Sequence, residues 1–197
     1  MMKSKKAVIG IGTLIIFIAT IVASLIAAGV LINATGLLQE EAIAVQQEAT
    51  QRLVAGVDAY SVNAYGEPDT ESIYGFDVLV RLRAGSNPIE MQTVGLALDS
   101  DDVSTGANLN SSLLNDDCTF ENLDSEDEYC IINRFGDQNS TILSLGDLFI
   151  LRYRLDQESE LEPFQDFEIT LTPRTGGTET LQLRTPELIL AERIRLR

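Results

Sequence analysis

The chain contains no histidine and only two cysteines among its 197 residues. Histidine is the usual general base of serine and cysteine hydrolases and a frequent ligand of zinc. Its absence removes both kinds of site in their ordinary form. Paired carboxylates of the glycosidase type cannot be singled out among thirty acidic residues, so we do not expect an enzyme.

Lysine is absent after residue 6. The three lysines are Lys3, Lys5 and Lys6, and every later basic residue is an arginine. With thirty acidic residues the formal net charge is −16. An acidic surface of this kind favours solubility and repels nucleic acid and anionic lipid. We therefore expect no nucleic-acid partner.

Charged residues are also absent from residues 7–39, and residues 8–32 are almost purely apolar. A helix of that length spans about 37 Å, which is enough to cross a bilayer with some tilt. Because it is apolar on all sides, it must be covered by lipid or by other helices. The lysines before it, with Glu40 and Glu41 after it, indicate that the N-terminus lies in the cytoplasm and the rest outside.

A helical stripe continues beyond the apolar segment. Its apolar members recur every three or four residues, and the opposite face is rich in Glu and Gln. The stripe consists of Leu38, Ala42, Val45, Ala49 and Leu53. We predict one helix over residues 8–52, apolar in its first half and amphipathic in its second.

From residue 53 onwards the apolar pattern has a period of two, which indicates half-buried strands. The predicted strands cover residues 54–64, 76–83, 93–99, 148–155, 167–172, 180–184 and 188–196, with a hairpin turn at 173–178. Acidic segments 99–106 and 116–128 are predicted to be exposed loops. The predicted fold class is α+β: a long N-terminal hydrophobic helix followed by an antiparallel, immunoglobulin-like β-sandwich over residues 53–197.

The junction Lys6-Ala7-Val8 allows three interpretations. A secretory signal would be cut near residues 27–29, and an uncleaved anchor would keep the whole N-terminus. Cleavage directly after Ala7 would leave the apolar helix on the mature protein. That arrangement makes sense only if the helix later leaves the membrane and packs against copies of itself.

The chain resembles the archaellins, the subunits of the archaeal swimming filament, within the type IV pilin-like class. The resemblance lies in Lys6-Ala7 with Val8-Ile9-Gly10-Ile11-Gly12-Thr13-Leu14-Ile15, then residues 27–33 and 36–39, and more loosely in 84–89, 167–169 and Thr185-Pro186. Ala7 stands where the family usually has glycine. Gly12 stands where bacterial type IV pilins carry glutamate, which favours an archaellin.

The resemblance implies that residues 1–7 are a prepilin-like signal peptide, with Lys6, Ala7 and Val8 at the cleavage site of a membrane-bound prepilin-type peptidase. It further implies a precursor that is inserted in the membrane and a dedicated secretion machinery. The mature product would be an extracellular, cell-surface filament in which copies of the chain associate with one another. Related subunits could also take part in the same filament. The candidate polymerisation residues are Gly10, Ile11, Gly12, Leu14, Ile15, Phe17, Ala27, Ala28, Gly29 and Leu31. An adhesive pilus subunit and a membrane-anchored binding domain are the alternatives.

Three kinds of smaller site are suggested outside the helix. Cys118 and Cys130 lie twelve residues apart and could form a disulfide worth about 2–3 kcal/mol, with unpaired thiols as the alternative. The sequons at Asn110 and Asn139 are expected to carry N-linked glycans, whereas the sequon at Asn33 falls in the apolar helix.

Acidic clusters could bind Ca²⁺ or Mg²⁺ through their carboxylates. They are Asp99, Asp101 and Asp102, and Asp124, Glu126, Asp127 and Glu128. The spacing does not match an EF-hand, and solvated loops are the favoured interpretation. We therefore predict no metal site and no cofactor.

Overall fold

The computed structural model describes residues 2–67, 71–123 and 125–197, with residues 2–9 and 51–53 described by their backbone alone. The chain divides into two compact units, with the boundary between Ala49 and Thr50. We call the second unit the head domain.

Helix α1 covers Met2–Val54, 53 residues in all. No proline interrupts it, and Ala, Leu, Gln and Glu, which are good helix formers, recur along its length. The predicted helix over residues 8–52 therefore lies entirely inside α1. The prediction did not extend α1 backwards through residues 2–7.

Eleven strands build the head domain. They are β1 (Val57–Glu67), β2 (Ser72–Leu82), β3 (Ile89–Glu90), β4 (Val94–Ser100), β5 (Ser104–Leu114), β6 (Glu128–Phe135), β7 (Ile142–Leu143), β8 (Leu148–Arg154), β9 (Asp166–Pro173), β10 (Glu179–Arg184) and β11 (Arg193–Arg195). Nine form a sheet of order β10-β9-β4-β5-β6-β8-β2-β1-β11, and β3 pairs separately with β7.

Strand β5 divides this sheet into two halves. Its first residues, Ser104–Ala107, pair with β4, and its later residues pair with β6. Half-sheet A thus contains β10, β9, β4 and the start of β5, and half-sheet B contains the rest. The halves face each other, because Phe76 of β2 contacts Phe167 of β9 with ring centroids 5.1 Å apart.

One apolar core fills the space between the two half-sheets. Its members alternate along their strands, as sandwich packing requires. The largest fully buried side chains include Tyr129, Tyr153, Phe76, Phe149, Ile73 and Met91. The Tyr129 hydroxyl lies 2.8 Å from the carbonyl oxygens of both Met91 and Val94, and so ties β6 to the turn before β4.

The predicted helix and mostly antiparallel β domain are confirmed, with one exception in the pairing. Strands β5 and β6 run parallel. A parallel pair needs a connection that returns the chain to the starting end. The segment 115–127, with a short 3₁₀ turn at Asn115–Asp117, provides that return.

Several boundaries predicted from the sequence were wrong. Segment 99–106 is not a loop, because β4 continues to Ser100 and β5 begins at Ser104. Asp99 and Ser104 are exposed register partners on these two strands, and residues 101–103 alone lie between them. The last predicted strand, 188–196, is reduced to Arg193–Arg195. Strand β1 covers Val57–Glu67 instead of the predicted residues 54–64, and β2 begins at Ser72 instead of residue 76.

The hairpin predicted at residues 173–178 is confirmed, since β9 and β10 pair antiparallel around it. Gly176 in this turn has φ of 118°, which favours glycine, and an added Cβ would meet the Ala55 carbonyl. The neighbouring Gly177 N–H donates a hydrogen bond to that carbonyl oxygen at 2.8 Å.

Candidate polymerisation helix and head-domain sites

The side chains of α1 are exposed almost without exception from Gly10 to Thr50. Among the described residues this is the one helix long and apolar enough to cross a membrane. Large apolar groups are included, with Leu25 at 67% exposure and Ile32 at 70%. An exposed apolar surface of this size marks a membrane or protein contact.

The candidate polymerisation residues that begin at Gly10 all lie on this exposed part of α1. Four glycines accompany them, at positions 10, 12, 29 and 36, and a Cβ added at any of these would meet nothing within 4 Å. Glycine costs about 1 kcal/mol relative to alanine inside a helix. The fold of this single chain gives no packing reason for that cost, whereas close approach of a second helix would.

The side-chain hydroxyls within residues 10–35 of α1 donate to backbone carbonyls of the same helix. Thr13 donates to the Gly10 carbonyl at 2.9 Å, and Ser24 donates to the Thr20 carbonyl at 2.8 Å. Such bonds remove the need for water. The helix surface is therefore compatible with lipid and with a dry helix bundle.

The candidate cleavage residues Lys6, Ala7 and Val8 lie in the first turns of α1. Their side chains lie outside the described part of the structure. Cleavage between Ala7 and Val8 therefore stays a prediction from the sequence.

A disulfide joins Cys118 to Cys130, with a Cα–Cα distance of 5.5 Å. Both cysteines are buried and pack with Leu123, supported by Leu113 and Ile132. The bridge closes the segment between the 3₁₀ turn and β6. This disulfide-closed loop, residues 118–130, has its own small apolar cluster separate from the main core.

The disulfide-closed loop covers an ion pair that sequence reasoning missed. Arg152 of β8 donates to both carboxylate oxygens of Asp77 on β2, at 2.8 and 2.9 Å. Arg152 also donates to the Cys118 carbonyl at 3.1 Å and stacks over the Phe120 ring at 4.5 Å. Asp77 is 2% exposed, although the alternation of β2 assigned it to the polar face.

The two candidate glycosylation sites differ in accessibility. The Asn110 amide donates to Glu128 at 2.7 Å and is half-buried. Asn139 is exposed in the segment between β6 and β7. The side-chain amide of Asn139 is therefore more accessible than that of Asn110 for attachment of a glycan.

The described acidic residues form no cluster arranged to hold a metal ion. Asp99, predicted in a loop, instead lies at the end of β4 opposite Glu168 of β9. Asp101 and Asp102 occupy the short turn that follows. Asp124 of the second cluster lies outside the described residues.

A β-sandwich domain that follows a long, uncovered apolar helix defines the class of protein to which this chain belongs. Within that class, residues 7–183 match the model of the archaeal-type flagellin family. This match covers most of the sequence, so the chain belongs to the archaeal-type flagellins.

Curated relatives are similar at two levels of coverage. Flagellin B3 of Halobacterium salinarum is 27% identical over 94% of this chain and 91% of its own length. Flagellin B1 of Methanocaldococcus jannaschii is 36% identical over 49% of this chain and 45% of its own. The chain thus spans about half the length of the methanogen relatives and most of the halobacterial ones.

Two solved structures share the fold. The archaeal flagellum of Methanospirillum hungatei matches with a TM-score of 0.65 at 10% identity, over 95% of this chain and 98% of that one. The crystal structure of archaeal flagellin FlaB1 from Methanocaldococcus jannaschii matches with a TM-score of 0.63 at 18% identity, over 72% and 96%. At these sequence identities, the two structural matches show a shared fold.

Proposed function

We propose that this chain is the structural subunit of an archaellum, a filament for swimming, and that it polymerises through residues 8–52. The observation that carries the proposal is the exposed apolar surface of α1, with its four uncovered glycines. The family match supports a swimming filament over an adhesive pilus. The role is structural rather than catalytic.

The mechanism is a change of solvent for one helix. In the precursor, residues 8–32 lie in lipid, and in the filament the same surface meets equivalent helices of neighbouring subunits. At roughly 25 cal/mol per Å², leaving such a helix in water costs on the order of tens of kcal/mol. A free monomer in water with this helix intact is therefore not expected.

Removal of residues 1–7 follows from their charge. Lys3, Lys5 and Lys6 would have to enter the helix bundle, where unpaired charges are costly. A membrane-bound prepilin-type peptidase that cuts after Ala7 removes all three, and the secretion machinery then adds the mature subunit to the filament. The product is extracellular.

The domain organisation follows from the same steps. Residues 1–7 form the signal peptide, residues 8–52 the polymerisation helix and residues 53–197 the extracellular β-sandwich on the filament surface. No cofactor is assigned, and the short acidic turns are treated as solvated surface.

N-terminal sequencing and intact-mass measurement on filaments sheared from cells test the proposal. The expected mature chain begins at Val8 and is found in long filaments. A chain that keeps its lysines and occurs only as a monomer in the membrane fraction would show an anchored surface domain instead. Replacing Lys6 and Ala7 to block cleavage is expected to hold the protein in the membrane.

Glycan attachment is proposed at Asn139 ahead of Asn110, because modification at Asn110 would break its bond to Glu128. We expect Asn139→Gln to remove a glycan mass from the filament protein. The matched variant Asn110→Gln is expected to leave the mass pattern unchanged apart from the substitution. A glycan lost only with Asn110→Gln would contradict this order.

A further inference from the structure

Residues 187–197, which we call the C-terminal ribbon, contain β11, the last strand in the order of the sheet. Within the ribbon, β11 pairs with β1 on one side, where Arg195 lies opposite Asn63. It ends the strand order, and no strand among the described residues pairs with its other side. An open edge of this kind is able to receive another chain.

The ribbon presents both basic and apolar groups. Ile194 and Leu196 pack against the core, and the arginines that alternate with them, at positions 193, 195 and 197, are exposed. No ion pair among the described residues includes any of these three arginines. Leu188 and Leu190 are 59% and 81% exposed, while Ile189 between them is buried.

Protection of a sheet edge explains only part of this pattern. Charged residues on an edge strand discourage pairing with other strands. Exposed leucines have the opposite effect, since they favour association. Arginine beside large apolar groups is a composition typical of protein interfaces. The ribbon is thus better suited to contact than to protection.

A complementary surface lies on the outer face of half-sheet A. Asp99 of β4 and Glu168 of β9 are register partners, so two carboxylates stand side by side. Like charges in this position weaken a strand pair. Asp99 and Glu168 line an open groove of about 670 Å³ together with Asp101, Asp166 and Arg184. Within this groove, Arg184 forms an ion pair with Asp166. We call this the acidic groove.

We propose that the C-terminal ribbon of one subunit docks on the acidic groove of a neighbouring copy. Arg193 and Arg195 face Asp99 and Glu168, and the contact covers Leu188 and Leu190. The inference rests on the proposed filament and adds a head-to-head contact to the packing of α1. Two different surfaces meet, which is the heterologous geometry that extends into a helical filament.

Charge complementarity identifies a second copy as the occupant. The whole chain has a net charge of −16, and removal of the three lysines makes the subunit more negative still, so that subunits repel their neighbours unless positive and negative surfaces are matched. Residues 193–197 of the ribbon supply the positive surface, because Glu187 and Glu192 precede them, and the groove supplies the negative one. The family match ends at residue 183, so the ribbon lies beyond the matched region.

Charge reversal in the full chain, expressed in a cell that exports the filament, tests the inference. We expect R193E/R195E to lower the filament mass recovered by shearing about tenfold and to lower the temperature of filament disassembly. The control R134E/R174E makes the same change in net charge at two other exposed arginines. It is expected to resemble the unaltered protein.

Rescue gives the decisive comparison. Adding D99R/E168R to R193E/R195E exchanges the signs of the two surfaces, and we expect filament mass to recover. Failure of this rescue, or equal loss in the control, would overturn the inference while filaments of the unaltered chain still support the proposed function. Absence of filaments from the unaltered chain would instead overturn the proposed function.

Discussion

At the scale of single residues, Asp77 shows what sequence alone could not reveal. Alternation along β2 assigned it correctly to the face opposite the core. That face was expected to be exposed to solvent, yet the disulfide-closed loop covers it and Arg152 forms an ion pair with Asp77. The covering segment is irregular and distant in sequence, so no periodicity links it to β2.

Loss of Asp77 alone is expected to be costly, because it leaves the half-buried guanidinium of Arg152 without its carboxylate partner. We expect Asp77→Leu to lower the free energy of unfolding by about 3 kcal/mol, and Asp77→Leu with Arg152→Met to cost less than that. Urea unfolding of the full chain in detergent, followed by tyrosine circular dichroism, measures both. The exposed pair Arg184–Asp166 provides the control, with Asp166→Leu expected to leave the free energy of unfolding nearly unchanged. Equal losses for the single and double variants would contradict the expectation.

Two buried tyrosines make the head domain sensitive to alkali. Burial raises the pKa of Tyr153 to about 12, and burial also raises the pKa of Tyr129. A raised pKa means that the folded state keeps the proton longer than the unfolded state, whose pKa is 10.0. The stabilisation is complete below about pH 10 and is lost as pH rises through about 12.

Unfolding in urea at a series of pH values checks this dependence. The free energy of unfolding should be constant from about pH 8 to pH 9 and should fall steadily above about pH 10. Tyrosinate absorbance should show two groups that ionise only as the protein unfolds. Full ionisation of every tyrosine in the folded state near pH 10 would refute it.

At the scale of elements, the helix and strands with a clear hydropathy pattern were predicted, and strands without one were missed. α1 and strands β2, β8, β9 and β10 were predicted because long charge-free or alternating segments specify them. Strand β5 was missed because Gly, Asn and Ser dominate it, and its exposed residues outnumber its buried ones. Strand β6 was missed because Tyr129, Cys130 and Ile131 are buried in succession, which hides the period of two.

The disulfide-closed loop is an element whose contribution can be measured separately. Replacing Cys118 and Cys130 by serine should lower the free energy of unfolding by about 3 kcal/mol, because the loop then regains its freedom in the unfolded chain. The change is expected to leave filament formation intact, since the polymerisation helix is untouched. Thermal unfolding with and without reductant, on the same filaments, measures the effect. A midpoint that does not respond to reductant would argue against a stabilising bridge.

At the scale of the whole molecule, the helix and the head domain obey different rules of burial. The head domain buries its apolar residues within one chain, and its fold follows from that core. α1 keeps its apolar residues exposed and can bury them only in lipid or in other copies. Hydropathy alone predicts this division from the sequence. The C-terminal ribbon and the acidic groove could be recognised only from the strand register.

A matched pair of lysine substitutions tests whether burial of α1 between subunits drives assembly. Leu25 and Gln47 are both exposed in the single chain, but only Leu25 lies in the apolar half of the helix. Leu25→Lys would place an unpaired charge in the helix bundle, at a cost of several kcal/mol per subunit, and is expected to abolish filaments. Gln47→Lys makes the same charge change in the polar half and is expected to permit them. Electron microscopy of sheared material, with immunoblots of the membrane fraction, distinguishes failed assembly from failed expression. Normal filaments from the Leu25→Lys protein would mean that the helices do not form the dry core of the polymer.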